Sequence, residues 1–566
     1  MASSPDFHHS TKQPITTNAN QLTQSQTPTH PNNQNEQHRQ NLSYSRRRKP
    51  RRLVNSPLPL QTANPVILLE RHKGSSTHPR AIGYTARTIE ILRSFGIEHR
   101  LPKAQWKGGP PRRIVVESLT GKWQDEKHWT PKPVGPKDGV KPKSQEDYSP
   151  VSGIASAQDK IEPVLRECAI ESGADLRLGW KVTSWSQNDH GVAVTAVSSD
   201  GTEKQIEGKY LVACDGAQSP IREQLGIKRD GVGFLQTLRS ILFRCAPIDH
   251  YLERGYSQFQ IEGREDGFKG FMTNYGERRW ALMWNPTEGS SASENTMNET
   301  TQKDSIRKAI GKDIPDNDIE LIATGEWDLC GLVAEKFSSG RIFLAGDAAH
   351  ALPPNRGGYG ANTGISDAHN LAWKLAAVLK GHSKPELLDT YDAERRPVAL
   401  VRHDQIFARD DYQRFLADRE WKSKDVQILD DVAMEFGQIY QSKSIIGADE
   451  NLPPAKRPDE WQGQPGTRAP HISLQKGGEK ISSLDLFGQT WTLISKDEGW
   501  RNAAECSFVK VEETNEGEFS EAFGVDDTGA VLVRPDGYIA WRATTKPKDG
   551  VDSLREVLAR VSCSVV

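Results

Sequence analysis

The acidic residue best placed for chemistry is Asp347, which follows Gly346 and the short apolar run 342–345. Such a run predicts a strand buried on both faces of a sheet, and ligands of α/β folds bind where such strands end. Prolines and glycines crowd the loop that follows: Pro353, Pro354, Gly357, Gly358 and Gly360. Residues of these two types fix the backbone or let it approach a flat ligand closely, so the loop has the composition of a ligand cradle.

A helix is predicted directly after this loop. From about Thr363, apolar residues recur at helical spacing as far as Leu379, and Gly381 supplies a C-terminal stop. The N-terminus of this helix therefore points into the cradle. Backbone amides near Asn362 and Gly364, together with the helix dipole, would stabilise negative charge that develops on an electron-accepting ring.

A family resemblance lies in two segments, GDAAHALPP and GGYGANTGISDAHNLAWKL. Together they resemble the second FAD fingerprint of the single-component aromatic-ring monooxygenases, the para-hydroxybenzoate hydroxylase and phenol hydroxylase group. The resemblance implies that Asp347 bonds the ribityl chain of FAD. It also implies that the loop proline and the next turn lie against the flavin ring: Pro354, Gly360, Ala361 and Asn362. The alternative, a loop that merely joins a strand to a helix, is disfavoured because many positions match in order.

A second group of candidate FAD contacts lies near residue 70. Glu70 and Arg71 close the apolar run that begins at Pro65, and a carboxylate at such a position accepts from the adenosine ribose in dinucleotide-binding βαβ units. A solvated acid at a strand end is the alternative for Glu70. The resemblance continues through the sequence His78-Pro79-Arg80-Ala81, and it implies that Arg80 reaches toward FAD.

Two further positions match the family. Gln158 opens the predicted helix QDKIEPVLRECAIESG, where the family has a glutamine that touches the flavin cofactor, although a helix-surface amide is the alternative. Asp215 and Gly216 follow the run 210–214 and resemble the family's DG motif, which serves both FAD and the nicotinamide cofactor. A tight strand-to-helix turn that needs Asp and Gly for geometry alone is the competing interpretation.

One family feature is not found upstream of these motifs. The family opens with a strand and a G-x-G-x-x-G turn, whose helix N-terminus holds the pyrophosphate. No such pattern occurs in residues 1–64. We therefore expect either a misassigned first exon or a protein that has lost half of its adenosine site and retains FAD weakly.

Bulk composition narrows the function classes. Lys and Arg total 73 against 75 for Asp and Glu, a formal net charge of -2, which does not favour a nucleic-acid partner. No apolar run approaches the roughly 20 residues that a membrane span needs, so we expect a soluble, cytoplasmic protein. The six cysteines include no C-x-x-C pair, which argues against a metal site or a dithiol centre.

The predicted fold class is α/β, with four regions along the chain. Residues 1–62 are a low-complexity segment that we expect to be disordered. Residues 63–415 form a Rossmann-like FAD-binding domain, interleaved with a substrate-binding sheet at about 100–150 and 231–330. Residues 416–465 are predicted to be a helical connection. Residues 466–566 resemble the thioredoxin-like tail of phenol hydroxylase relatives, without its C-x-x-C.

The function that the resemblance implies is FAD-dependent hydroxylation of a phenolic or polyketide-like aromatic substrate, with NAD(P)H and O2 as co-substrates. A flavin-poor or inactive relative with a binding role is one alternative, and a flavin oxidase on the same fold is another. The sequence identifies no catalytic base, does not distinguish NADH from NADPH, and leaves a homodimer open.

Overall fold

The structure is a computed structural model. It describes residues 65–76, 78, 81–102, 112–127, 145–286, 298–353, 359–416, 426–449, 451–488, 490–503, 506–547 and 550–564. All of these belong to one compact unit. The segment 1–62, which we predicted to be disordered, lies outside the described residues. So do residues 1–64, where the first glycine turn was expected.

The described elements up to residue 224 mix short strands with helices, in agreement with the predicted α/β class. In chain order they are β1 (Ile67–Glu70), β2 (Gly83–Tyr84), α1 (Ala86–Ser94), β3 (Arg113–Val116), β4 (Trp123–Lys127), β5 (Ile154–Ala155), α2 (Gln158–Glu171), β6 (Asp175–Leu178), β7 (Trp180–Asn188), β8 (Gly191–Ser198), β9 (Glu203–Gly208), β10 (Leu211–Ala213) and α3 (Pro220–Gln224).

The remaining elements build a large sheet, two long helices and a C-terminal sheet. They are β11 (Arg229–Arg244), β12 (Gln258–Ile261), β13 (Gly270–Asn274), β14 (Arg279–Trp284), α4 (Glu299–Ile310), β15 (Glu320–Ala334), β16 (Ser338–Ser339), β17 (Ile342–Leu344), β18 (His350–Ala351), α5 (Tyr359–Leu379), α6 (Thr390–Phe407), α7 (Asp410–Gln413), α8 (Asp431–Phe436), β19 (Ser473–Lys476), β20 (Glu479–Ser482), β21 (Thr492–Ser495), β22 (Ser507–Lys510), α9 (Glu518–Phe523), β23 (Ala530–Val533), β24 (Ile539–Ala543) and α10 (Gly550–Val561).

Two small parallel pairings form the Rossmann-like part. β1 pairs with β6, and β10 pairs with β17, which in turn pairs with β16. β17 is the predicted strand before Asp347, and all three of its residues are buried. A strand covered on both faces needs apolar side chains at every position, which explains the unbroken apolar run.

The predicted substrate-binding sheet has eight strands in the order β18-β15-β11-β14-β13-β12-β3-β4. Its long strands β11 and β15 are antiparallel neighbours. One face carries the main core, in which Ile241, Phe243, Phe259 and Trp280 pack together with apolar residues of α4. The other face contacts residues next to the predicted FAD contacts, because Leu242 and Ala281 pack against Ile82 and Ala157. This sheet therefore joins the Rossmann-like part to a separate core.

Two details differ from the sequence predictions. Helix α5 begins at Tyr359, four residues before the predicted start at Thr363, because residues that lack the apolar period still belong to its first turn. The described part of residues 416–465, predicted as a helical connection, contains the short helix α8 and is otherwise mostly irregular. The prediction of a helical connection is therefore corrected. The buried residues Met434, Tyr440 and Ile445 do not lie along one face of a helix.

The C-terminal region has a four-stranded sheet in the order β22-β21-β23-β24 and a hairpin of β19 and β20. Two apolar clusters cover its two sides, one with Phe519 and Phe523 of α9, the other with Leu554 and Leu558 of α10. Its likeness to thioredoxin stays a prediction. In the part of the chain that the structure describes, no helix has both the length and the apolar character needed to cross a membrane.

Candidate active site

The strand end and the helix start that flank the predicted cradle contact each other, and the loop residues 354–358 between them lie outside the described residues. A Cβ atom added to Gly364 would lie 3.0 Å from the Cα atom of Gly346, so the two backbones are in direct contact. Gly346 has a φ of +59°, a left-handed conformation that favours glycine. A Cβ atom at Gly360 would lie 4.0 Å from Oδ1 of Asp347. This distance places the carboxylate of Asp347 beside the first turn of α5, and the residue is exposed.

This arrangement fits FAD at the position that the sequence predicted. The first amides of a helix lack intrahelical acceptors and carry partial positive charge, which suits an electron-accepting ring. A carboxylate beside them accepts hydrogen bonds from the hydroxyls of a ribityl chain. Because Gly346 and Gly364 lack side chains, the start of α5 approaches the end of β17 to backbone contact, and the carboxylate of Asp347 stays exposed beside it.

A buried ion network underlies the cradle. Asp367 accepts a hydrogen bond from the backbone N–H of Gly346 at 3.2 Å, lies 2.7 Å from Nε2 of His350, and accepts from Nε of Arg395 at 2.8 Å. Arg395 also donates to the carbonyl of Thr363 at 3.3 Å. Burial is the largest single effect and opposes ionisation of Asp367, but the interactions with Arg395 and His350 together outweigh it and hold the pKa of Asp367 below its ordinary value. The network thus fixes the strand end to the start of α5.

Sequence reasoning did not assign this network. Its signal was a polar stripe on α5 at helical spacing, in which Thr363, Asp367, Asn370 and Lys374 all turn out to be buried. Polar residues at core-facing positions of a helix need partners inside the protein, and here α6 supplies Glu394 and Arg395.

The side chain of Asn362 is hydrogen-bonded to Gly83, Thr85 and Thr88. Its Oδ1 accepts from the N–H of Thr85 at 3.1 Å and from Oγ1 of Thr88 at 2.6 Å. Its Nδ2 donates to the carbonyl of Gly83 at 3.2 Å. The side chain therefore ties the start of α5 to the segment that leads into α1. Its contact with the flavin ring, and that of Ala361, stays a prediction.

Gln158 lies at the start of α2. Its Oε1 accepts from the N–H of Ala81 at 3.4 Å, and its Nε2 donates to Glu162 at 2.5 Å. The bond to Ala81 attaches the start of α2 to the segment before β2, and the predicted contact of Gln158 with the flavin cofactor stays a prediction. Arg80 and Pro354 themselves lie outside the described residues, so their predicted roles stay predictions.

The remaining candidates make other contacts, and only Asp215 follows a strand, β10, that is paired with β17. Glu70 is half-buried and accepts from the backbone N–H of His72 at 2.8 Å, and the exposed Arg71 donates to the ring of His72 at 3.1 Å. Asp215 is exposed and accepts from the N–H of Ile221 at 3.3 Å, which helps to cap α3. Glu70 ends β1 and Asp347 follows β17, and these two strands belong to separate sheets. The contacts of Glu70, Arg71 and Asp215 with FAD stay predictions.

The cysteines are all free thiols. Burial raises the pKa of the Cys506 thiol to about 11 and also raises the pKa of Cys563, which leaves little reactive thiolate at neutral pH. Among the described residues, no group of three or more His, Cys, Asp and Glu side chains could hold a metal ion.

Comparisons with known proteins match both halves of the chain. The family model described as FAD binding domain matches residues 60–404, and the model described as aromatic-ring hydroxylase, C-terminal, matches residues 462–563. The 4-methyl-5-nitrocatechol 5-monooxygenase of Burkholderia sp is 35% identical over 536 residues, covering 88% of this chain and 93% of the relative. The tetracenomycin A2 monooxygenase-dioxygenase of Streptomyces glaucescens is 33% identical, covering 87% of this chain and 92% of the relative.

A solved structure is also similar to this chain over most of its length. The ternary complex of aklavinone-11 hydroxylase with FAD and aklavinone superposes with a TM-score of 0.75 at 29% sequence identity. The match covers 89% of this chain and 95% of that chain. The likeness therefore extends over the Rossmann-like part, the eight-stranded sheet and the C-terminal region together.

Proposed function

We propose, from the premise that the chain belongs to the family of aromatic-ring hydroxylases with an FAD-binding domain, that it hydroxylates a phenolic ring of a polyketide-like aromatic substrate. Its reaction class is that of a flavin-dependent monooxygenase. The observation that carries the proposal is the close contact between the end of β17 and the start of α5, where the exposed Asp347 stands beside the first turn of the helix. FAD bound there and reduced by NAD(P)H supplies the activation of O2 and the transfer of one oxygen atom.

The chain's own residues hold and orient that cofactor. Asp347 accepts from the ribityl hydroxyls, and the first amides of α5 stabilise negative charge on the ring. Asp367 and Arg395 act behind them by holding the backbone at Gly346 and Thr363. A preorganised polar surface of this kind does not reorganise during the reaction, which is how proteins favour charge development.

The names of the relatives support a phenolic substrate. They include a nitrocatechol monooxygenase, a tetracenomycin A2 monooxygenase-dioxygenase and a putative polyketide hydroxylase of Streptomyces halstedii. A hydroxyl group donates electron density to its ring, which makes the ring a better acceptor of an oxygen atom from the cofactor. We therefore assign a phenol as the chemical class.

The test uses purified protein supplied with FAD, NADPH or NADH, and isotopically labelled O2. Aklavinone and 4-methyl-5-nitrocatechol serve as probes. The expected result is faster NAD(P)H oxidation with a phenol present and one labelled oxygen atom in the product. Labelled hydrogen peroxide without labelled product would support the oxidase alternative. Unchanged NAD(P)H oxidation with both probes would support the flavin-poor binding protein.

Two further properties belong to this proposal. We assign the enzyme to the cytoplasm, which the six free cysteines support because thiols stay reduced in that compartment. A homodimer is the assembly we expect, and light scattering of the purified protein measures it directly. A monomeric mass at all concentrations would contradict the dimer, and recovery in a membrane or secreted fraction would contradict the location.

A further inference from the structure

A serine and a histidine meet on the face of the eight-stranded sheet that turns toward the FAD-binding part. Ser240 lies on β11 and is 2% exposed. Its Oγ lies 2.7 Å from Nε2 of His78, a residue 162 positions earlier in the chain. The cross-strand neighbours of Ser240 are Met283 on β14 and Gly325 on β15. Directly opposite residues in an antiparallel sheet project on the same face, so these three positions share one surface.

Other described residues cover this surface on one side of Ser240 but not at Gly325. Two residues further along β11, Leu242 pairs with Ala281 and Ala323, and Ile82 and Ala157 pack over them. At Gly325, by contrast, no heavy atom of the described residues lies within 4 Å of the place that a Cβ atom would occupy. The face therefore has room for a ligand beside Ser240.

The open part of this face is bordered by apolar side chains. Leu238 pairs with Trp327, and Phe271 pairs with Met283, and all four are partly exposed. An apolar surface with one hydroxyl-imidazole pair suits an aromatic ring that carries a hydroxyl group. Ligand sites commonly combine an apolar lining with a few polar groups that fix orientation.

The serine-histidine pair also lies close in sequence to the cradle's anchors. Ala81, three residues after His78, donates to Gln158, and Gly83 accepts from Asn362 of α5. The segment that carries His78 is thus attached to the first turn of α5. This attachment places the open sheet face on the same side of the molecule as the predicted flavin ring.

We propose that Ser240 and His78 bind a phenolic hydroxyl of the substrate and accept its proton. The inference rests on the proposed function, because it names the group that recognises the phenol at that site. Oγ of Ser240 accepts the phenolic O–H while the serine proton passes to Nε2 of His78. The phenol O–H bond breaks, and the products are a phenolate, an unchanged serine hydroxyl and an imidazolium. Ser240 is then a catalytic residue, and His78 acts through it.

The requirement for the histidine is chemical. Phenols ionise near pH 10 and imidazole near pH 6.5, so a free imidazole takes only a small share of a phenol's proton. A positioned hydrogen-bond chain raises that share, and general base catalysis of this kind contributes about a hundredfold or more to rate. The phenolate ring is richer in electrons than the phenol ring, which favours its attack on the oxygen donor.

The first test measures ionisation of a bound phenol and does not depend on turnover. The probe is 4-methyl-5-nitrocatechol, whose phenolate absorbs visible light, at a pH where the free catechol is neutral. We expect the full chain loaded with FAD to bring out the phenolate band on binding. Ser240→Ala and His78→Asn should abolish that band, and Ser240→Thr, which keeps the hydroxyl, should restore it. An equal band in Ser240→Ala and the parent would overturn the proposal.

The second test measures turnover with the same proteins. His78→Asn and Ser240→Ala should lower kcat roughly a hundredfold with a smaller change in KM. The control is Thr324→Ala, which removes an exposed hydroxyl one residue from Gly325 on the opposite face of β15. Equal kcat in all three variants would again overturn the proposal. Circular dichroism and FAD content of each variant establish that it has folded.

A third variant tests the open space itself. Gly325→Val should fold normally, since none of the residues that the structure describes has an atom within 4 Å of its Cβ position and valine favours strands. It should raise the KM for the phenol because its side chain enters the ligand space. An unchanged KM would place the substrate elsewhere and overturn the site. Failure of the proposed function gives a different result from failure of this inference. A parent protein that ionises the bound catechol but does not hydroxylate it would refute hydroxylation and leave the roles of Ser240 and His78 intact.

Discussion

Two aspartates separated by 20 positions have different roles at the residue scale. Asp347 is exposed beside the helix start, where a ligand can reach its carboxylate. Asp367 is fully buried and is held by Arg395, His350 and the backbone of Gly346. An exposed carboxylate contributes little to stability, whereas a buried ionic partner contributes through every group that depends on it.

The matched variants Asp347→Ala and Asp367→Asn test this contrast. Asp347→Ala should lower FAD retention and leave the free energy of unfolding nearly unchanged. Asp367→Asn leaves the charge of Arg395 buried without a counterion and should lower the unfolding free energy by about 3 to 5 kcal/mol. Flavin absorbance and urea denaturation measure the two effects. Equal flavin content in Asp347→Ala and the parent would show that Asp347 does not contact FAD.

His369 on α5 predicts a dependence of stability on pH. Burial, followed by the nearby charge of Arg87, lowers the pKa of His369 from 6.5 to about 4. The unfolded chain then binds a proton that the folded chain rejects, so stability falls as pH decreases from about 6.5 to about 4. The loss is on the order of 3 kcal/mol at most.

Replacing His369 by glutamine should remove this loss. We expect denaturation curves of His369→Gln to vary less between pH 7 and pH 4 than those of the parent. His99→Gln, at an exposed histidine, is the control and should follow the parent. Parallel pH curves for the parent and His369→Gln would contradict the assignment.

At the element scale, the cradle depends on how closely β17 and α5 approach. Their contact at Gly346 and Gly364 leaves no room for a methyl group. The ion network from Asp367 to Arg395 holds the same two backbones from the buried side. The strand end and the helix start therefore behave as one unit, whose geometry both glycines permit.

Gly364→Ala should separate the two elements. The added Cβ would lie 3.0 Å from the backbone of Gly346, so we expect a loss of about 1 to 3 kcal/mol in unfolding free energy and weaker FAD binding. Gly74→Ala is the matched control, because nothing lies within 4 Å of its Cβ position. FAD titration and thermal denaturation measure both effects. Unchanged FAD affinity in Gly364→Ala would rule out a tight cradle.

At the scale of the whole molecule, the C-terminal region is joined to the FAD-binding part by buried charges. Arg534 donates to both carboxylate oxygens of Glu394 at 2.6 and 2.8 Å, and also pairs with Asp536 at 2.5 Å. Lys374 donates to Glu394 at 2.8 Å. The side chains of Arg534, Glu394 and Lys374 are 0% exposed. The two regions therefore depend on each other for charge compensation.

Arg534→Met should destabilise the whole chain strongly. The change leaves two carboxylates buried without their main counterion, which costs about 3 to 5 kcal/mol. Arg501→Met is the control, because its pair with Glu498 is half-exposed and such pairs contribute about 0 to 1 kcal/mol. Urea denaturation followed by circular dichroism measures both variants. Similar unfolding midpoints would contradict an essential interface.

The cysteines of the C-terminal region should be dispensable for turnover. Cys506 and Cys563 are free and their thiol pKa values are raised, so neither supplies a reactive thiolate. We expect the double variant Cys506→Ser and Cys563→Ser to keep the parent kcat, measured as substrate-stimulated NAD(P)H oxidation. Lost turnover in a folded double variant would indicate a redox role for this region.

The sequence by itself determined the strand before Asp347, the helix after it, the α/β fold class and the family. These features are encoded locally. The spacing of apolar residues specifies a strand or a helix, and runs of Gly and Pro specify the loops between them. Local patterns also misplaced the start of α5 and predicted a helical connection at 416–465, where burial is set by contacts with distant segments.

Only the tertiary structure decided which polar residues meet. Asn362 bonds Thr88 across 274 positions, Glu394 bonds Arg534 across 140, and Ser240 lies beside His78 across 162. Hydrogen bonds of this kind depend on how sheets and helices pack, and no periodic pattern carries that information. The reason is physical: a buried polar group must find a partner, but its own sequence neighbourhood does not specify which one.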